Sequence, residues 1–334
     1  MRFSNVLKVL SACFLSFSVC FGAFAEMPKK VKMAAVLATG PDEPWDSSFL
    51  DSWKELAEKN DLGLELNEPV YTEGVWGDSA EAVMRLYARK YDVVWAHSSY
   101  SDQVKRLQKQ YPETLFVVVG TGNEGLGGNQ FWAKISAYRP AYLAGVMAGM
   151  ETKSNVIGAV GTFATPDINE MVNAYINGAK SVNPSIDVKV AFIDSWWDPP
   201  MAFESSKAQI KAGADHILMM AHSFSACVQE KVACIGNYKD WSSFAPDSIK
   251  ASLPLNWKPS IKWVLNEWKQ AKNSGQPFNG NIEPKYSDMR DGSSAFVLGS
   301  MPVSDSTKAK LNEVESKLRS GELVIIRNSE KPTP

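Results

Sequence analysis

Short apolar runs alternate with amphipathic helices along most of this chain, in two successive series. In the first, VKMAAVLAT (31–39) precedes DSSFLDSWKELAEKN (46–60), LGLELNE (62–68) precedes GDSAEAVMRLYARK (77–90), DVVWAH (92–97) precedes SSYSDQVKRLQKQ (98–110), and TLFVVVG (114–120) closes the set. Continuous apolar runs separated by helices are what parallel strands covered on both faces require. A second series follows the helix RPAYLAGVMAGMETKS (139–154): NVIGAVGT (155–162), a helix from Pro166, DVKVAFI (187–193), a helix from Pro199, HILMMA (216–221), a short helix, and VACIG (232–236). The pattern predicts an α/β fold of two doubly wound parallel-sheet lobes joined by a hinge. After Asn256, the helix SIKWVLNEWKQAKNSG, the run SSAFVLG and the polar helix STKAKLNEVESKLRSGE return through short crossings. Lobe 1 is expected at 26–137 plus about 258–292, and lobe 2 at 138–257 plus about 293–334.

Ahead of the first series lies the basic start MRFSNVLK, the apolar VLSACFLSFSVCFGAFA and then EMPKK. With an A-x-A site at Ala23 and Ala25, residues 1–25 read as a signal peptide and the mature chain is expected to begin at Glu26, exported to the periplasm. A retained anchor is the alternative, but the run is shorter than the ~20 residues a spanning helix needs. LSAC (10–13) has the look of a lipid-attachment site, placed too early in the apolar run. The 35 basic and 37 acidic side chains leave no positive excess, which counts against nucleic acid as the main partner. Cys227 and Cys234 outlast the signal; in an oxidising compartment they can close a short loop, the alternative being two small buried thiols. His97, His216 and His222 do not form a zinc-ligand cluster with them at usual spacings.

Ligands of open α/β sheets bind outside the carboxyl ends of the strands, so the turns just after strands are the places to look. They read TGPDEPWDSS (39–48), AHSSYSD (96–102), GTFATPD (161–167), IDSWWDPP (193–200), AHSFSA (221–226) and GNYKDWSSF (236–244). Aromatic rings recur there with hydroxyls and carboxylates: Trp45, Phe163, Trp196 and Trp197, with Asp46, Ser98, Ser99, Asp198 and Asp240. Trp196 and Trp197 cannot both face one core from a continuing strand, so the strand should end near Ile193 and release the pair into the loop. Each ring taken singly can also be a cap on the core of its lobe. Aromatic faces with a few carboxylates suit a flat, neutral, hydrogen-bonding heterocycle; a sugar would also stack on tryptophan. The scarcity of arginine in these loops counts against anions.

KSNVIGAVGTF followed by NAYINGAKSVNP, then VKVAFIDSWWDPP and GADHI, together with RPAYLAGVMAG, is similar to the basic membrane protein, or PnrA-like, family of substrate-binding proteins, over about residues 31–325. The resemblance implies a type I periplasmic binding protein fold, a small-molecule heterocycle as ligand and an ABC permease as partner, with the protein acting as a monomer and needing no cofactor. The S-W-W-D-P stretch resembles the branch associated with purine bases. By position, the resemblance places Trp45 and Asp46 in the first ligand loop, Ser98 and Ser99 in the third strand's loop, Trp196 or Trp197 as the opposing ring, and Asp240 near ligand polar atoms. Where nucleoside-binding relatives carry a lysine, this chain reads LNWKP, with Asn256 and Trp257 there and Lys258 beside them; the first loop is also more acidic than the family's glycine-rich one.

The expected function is a periplasmic substrate-binding protein of an ABC importer that closes on a purine base or related heterocycle. A purine nucleoside ligand is the nearest alternative, and a sensing module feeding a receptor is another. A nucleoside hydrolase-type enzyme using Asp46, Asp198 and Asp240 is disfavoured, because no G-x-S-x-G, P-loop, H-E-x-x-H or dinucleotide fingerprint is present.

Overall fold

The computed structural model describes residues 29–59 and 63–332; the expected signal peptide lies outside them. In chain order the first half comprises β1 (Lys30–Val31), β2 (Met33–Leu37), α1 (Pro44–Lys59), β3 (Glu65–Leu66), β4 (Tyr71–Thr72), α2 (Gly77–Ala88), β5 (Val93–His97), α3 (Ser101–Leu107), β6 (Leu115–Val119) and β7 (Gln130–Ile135). The second half runs α4 (Tyr138–Glu151), β8 (Val156–Gly161), α5 (Pro166–Val182), β9 (Asp187–Phe192), α6 (Pro199–Lys211), β10 (His216–Met219), α7 (Ser225–Glu230), β11 (Ala233–Tyr238) and β12 (Ile249–Pro254). The last elements are α8 (Lys258–Ser274), β13 (Lys285–Ser287), β14 (Val297–Leu298) and α9 (Asp305–Ser320).

Two six-stranded sheets result, ordered β13-β7-β6-β5-β2-β4 and β14-β12-β11-β10-β8-β9. Every pairing in them is parallel except β12 with the edge strand β14. The continuous apolar runs explain this: β2, β5 and β6 are buried along their whole length, as strands with helices on both faces must be. Chain connections pass from one sheet to the other between β7 and α4, between β12 and α8, and between β13 and β14, so the final elements add an edge strand to each sheet. Among the described residues no helix is long and apolar enough to cross a membrane.

Among the described residues of the run LGLELNE, 63–68, there is no full strand. Only Glu65–Leu66 pairs, with β1, and the place beside β2 goes to Tyr71–Thr72. Strand β7 is hard to foresee because QFWAKI carries two polar residues; Gln130 is nevertheless buried, its side chain accepting from Leu126 N at 2.7 Å and donating to Glu124 O at 2.9 Å. Helices α4 and α5 pack backbone to backbone. A methyl at Gly145 would strike the Tyr175 carbonyl and one at Gly178 the Tyr142 carbonyl, so glycine is what allows the approach.

Strand β9 stops at Phe192, and Asp194 then turns the chain with φ 51° before the tryptophan pair. Asp198 caps α6, accepting from Met201 N at 3.0 Å, and Pro199 and Pro200 occupy the first turn, where a missing N–H costs little. Cys227 and Cys234 form a disulfide that ties α7 to β11, with Cα atoms 6.0 Å apart.

Candidate functional site

A cavity lies where the carboxyl ends of both sheets face each other, the position such sheets favour for ligands. It measures ≈ 80 Å³, against roughly 10–15 Å³ for one water on the same measure. From the first sheet its wall takes Thr39 after β2, Glu43, Trp45 and Asp46 at the start of α1, His97, Ser98 and Ser99 at the end of β5, and Gly120 and Thr121 after β6. From the second it takes Thr162 after β8, Asp167 in the first turn of α5, Trp196 after β9, His222 after β10 and Tyr238 at the end of β11.

Trp45 is the central ring. It meets Tyr238 edge-on at 5.3 Å between centroids, Trp257 edge-on at 4.8 Å, and His97 at 5.6 Å. Trp196 stands opposite, 37% exposed and braced edge-on by Phe163 at 4.9 Å. His222 and Tyr238 both have positive φ, 57° and 64°. Such backbone disfavours residues with a Cβ by roughly 1–2 kcal/mol, and strain of this kind gathers at ligand clamps.

The polar groups are only partly satisfied. Asp46 is buried; its Oδ2 accepts from Thr39 N at 3.2 Å and from Thr39 Oγ1 at 2.5 Å, while Oδ1 has no hydrogen-bond partner. Burial first, and the neighbouring Glu43 charge second, raise its pKa to about 7. His97 is fully buried and stacks on Phe49 at 4.3 Å. Its Nδ1 accepts from Trp95 Nε1 at 2.9 Å, and its Nε2 is unpartnered, 3.8 Å from Asp46 Oδ1. Desolvation lowers its pKa to about 3, so the ring is neutral. Thr162 Oγ1 and both ring nitrogens of His222 are buried without a partner as well, His222 Nε2 lying 3.5 Å from Glu43 Oε1. Asp167 Oδ1 accepts from Thr121 Oγ1 at 3.1 Å, joining the two halves across the cleft.

Of the residues expected from sequence, Trp45, Asp46, Ser98, Ser99 and Trp196 come together on this wall. Phe163 stands behind Trp196, and Trp197 lies beside His222, 6.0 Å between rings, without joining the wall. Three more of the expected residues lie off this wall. Trp257 is fully buried behind Trp45, its Nε1 donating to Ser48 Oγ at 3.1 Å, because the start of α8 docks on α1. Asp198 is occupied as the cap of α6. Asp240 turns back on its own loop, accepting from Ser242 N and Oγ at 2.9 and 2.6 Å, beside a separate open groove that also holds Lys258. Glu43, His97, Asp167, His222 and Tyr238 were not singled out. All fall in strand-end turns, which was the one signal able to find them. Among the described residues no group of three or more His, Cys, Asp or Glu is placed to hold a metal ion.

Two α/β halves with a cavity between their strand ends have the arrangement of a solute-binding protein. A solved ABC transporter solute-binding protein of Aeropyrum pernix has this fold, with a TM-score of 0.71 at 13% identity over 90% of this chain and 94% of that one. Residues 29–325 match the family described as ABC transporter substrate-binding protein PnrA-like, and the chain belongs to that family. A purine-binding protein of Brucella abortus is 27% identical over 90% of this chain and 85% of its own length. The protein TsgA13 of Haloferax volcanii, named for glucose binding by an ABC transporter, is 37% identical over 60% of this chain and 58% of its own length. The family and fold are those of binding proteins, not enzymes, and proteins serving ABC importers act outside the cytoplasm.

Proposed function

We propose that this protein is a periplasmic binding protein of an ABC importer that captures a purine base or closely related flat heterocycle between its lobes. One observation carries the reading: Asp46 Oδ1, His97 Nε2, Thr162 Oγ1 and both His222 nitrogens are buried without partners on a single wall that also presents Trp45 and Trp196. Each such atom costs about 1–3 kcal/mol while unpaired, so a planar ligand with matching donors and acceptors relieves that cost as it stacks. The lobes, divided at the sheet-to-sheet crossings, close on it as units, and the closed monomer is what the permease recognises.

A base suits the site better than a nucleoside. Asp240 and Lys258, the residues that would serve a ribose, lie in the outer groove and off the cavity wall, and Lys258 Nζ is paired with Glu55 Oε2 at 2.7 Å. A sugar is the second reading, favoured by the TsgA13 likeness and by the tryptophan faces. The test is a thermal-shift panel on refolded, ligand-stripped protein with purine bases, nucleosides and sugars. At 100 times its dissociation constant a ligand stabilises by about 2.7 kcal/mol. Shifts with adenine, guanine or hypoxanthine and none with their nucleosides support the base. Shifts with glucose alone transfer the assignment to a sugar.

A further inference from the structure

The deep wall of the cavity holds a donor and an oxygen of changeable character side by side. Trp95 Nε1–H donates to His97 Nδ1, so the neutral imidazole carries its proton on Nε2, and that nitrogen is buried without a well-formed hydrogen bond, the Trp45 backbone being the nearby group that favours its protonated form. Beside it, Asp46 has spent Oδ2 on Thr39 and left Oδ1 unpaired. A buried carboxyl donates from that oxygen when protonated and only accepts when ionised.

The groups around Asp46 are identifiable. Glu43 is on its own turn, accepting from Asp46 N at 3.1 Å, and His97 comes from β5. Tyr100 precedes α3, its hydroxyl pKa raised by burial and then by the Asp46 charge. Asp167, His222 and Tyr238 share the cavity from the opposite sheet.

We propose that His97 Nε2–H and Asp46 Oδ1 grip one edge of the ligand together, that this edge presents a ring acceptor beside an N–H, and that binding expels the Asp46 proton to solvent. This rests on the purine-type reading of the cavity and names which face of the ring is recognised. The Asp46 O–H bond breaks, its proton goes to buffer, and the carboxylate accepts the ligand N–H; the ring nitrogen accepts from His97, whose own proton stays in place. An edge with a carbonyl in place of the N–H needs the protonated acid, and its binding weakens as pH rises. The near-neutral pKa of Asp46 puts the switch within reach of ordinary conditions.

The test is calorimetric titration of the ligand-stripped full chain with adenine from pH 5 to 8.5, in two buffers of different ionisation heat. The expected result is an affinity that rises up to tenfold per pH unit below about 7 and levels above it, with proton release at pH 6. Asp46→Asn should bind more weakly with no pH slope, while Asp240→Asn, outside the cavity, keeps the slope. Binding of adenine with flat affinity and no proton release overturns the proposal and leaves the purine reading standing, as does a slope that survives in Asp46→Asn. Should no purine bind at any pH, the purine reading falls and this proposal with it. If Asp46→Asn does not fold, the wild-type slope and the two-buffer proton count decide alone.

Discussion

At the scale of single residues, the buried Asp46 and His97 act on stability with opposite signs. Asp46 binds its proton more tightly in the folded chain, so its contribution falls as pH rises from about 4 to about 7. His97 is hard to protonate when folded, so its contribution falls as pH drops from about 6.5 toward 3. The two offset each other in mildly acidic buffer. Asp46→Asn, which removes only the charge, should therefore raise the melting temperature of the empty protein at pH 8 and leave it little changed or lower at pH 5; a uniform fall at both would show that Asp46 stabilises as a carboxylate. Trp45→Ala removes the central ring and should weaken ligand binding at least tenfold, read by titration, because stacking adds to the area buried. The tryptophans were legible because aromatic rings are conspicuous after strands. His97 was not, because its meaning depends on Trp95 two residues earlier holding its Nδ1, a pairing that only strand geometry reveals.

Among elements, the parallel strands and most helices were readable because continuous apolar runs and periodic faces are local signals. Those that were missed are set by partners distant in sequence. β13 contributes a short edge to β7, and β7 itself is polar enough to read as loop. The α4–α5 contact depends on glycines whose role appears only when the helices meet. Gly178→Ala should destabilise by at least ~1–3 kcal/mol in chemical denaturation, because the added methyl has backbone as its neighbour and no side chain to push aside. The disulfide is local again, with a sequence separation of 7. In the chain-entropy model so short a loop contributes about 2.5 kcal/mol, and the double Cys227→Ser, Cys234→Ser variant should unfold at correspondingly lower denaturant. At the end of α4, Glu151 joins three elements, accepting from Lys250 of β12 and from Ser304 and Thr307 at the start of α9. These bonds outweigh its burial and hold its pKa at about 2, so the support it gives is present above pH 4.5 and is lost as pH falls from there to about 2.

For the whole molecule, the two halves meet through polar bridges, through ring contacts such as Trp45 with Tyr238 and through an apolar cluster that holds residues of both. Besides Thr121 with Asp167, Lys239 reaches Asp51 at 2.8 Å, and the C-terminal segment returns so that Arg327 pairs with Glu170 of α5 at 2.7 Å while covering the Tyr286 ring of β13 at 4.3 Å. Of these, Lys239 with Asp51 is exposed enough to contribute little. A ligand that fills the cavity adds contacts to both halves, so the empty chain should open more readily than the loaded one. The measurement that bears most directly on capture between lobes is small-angle X-ray scattering of the ligand-stripped protein with and without saturating adenine, with binding verified on the same sample. A fall in the radius of gyration on loading, lost in Trp45→Ala at the same adenine concentration, is the expected result. Confirmed binding with an unchanged radius would contradict closure of the lobes around the ligand.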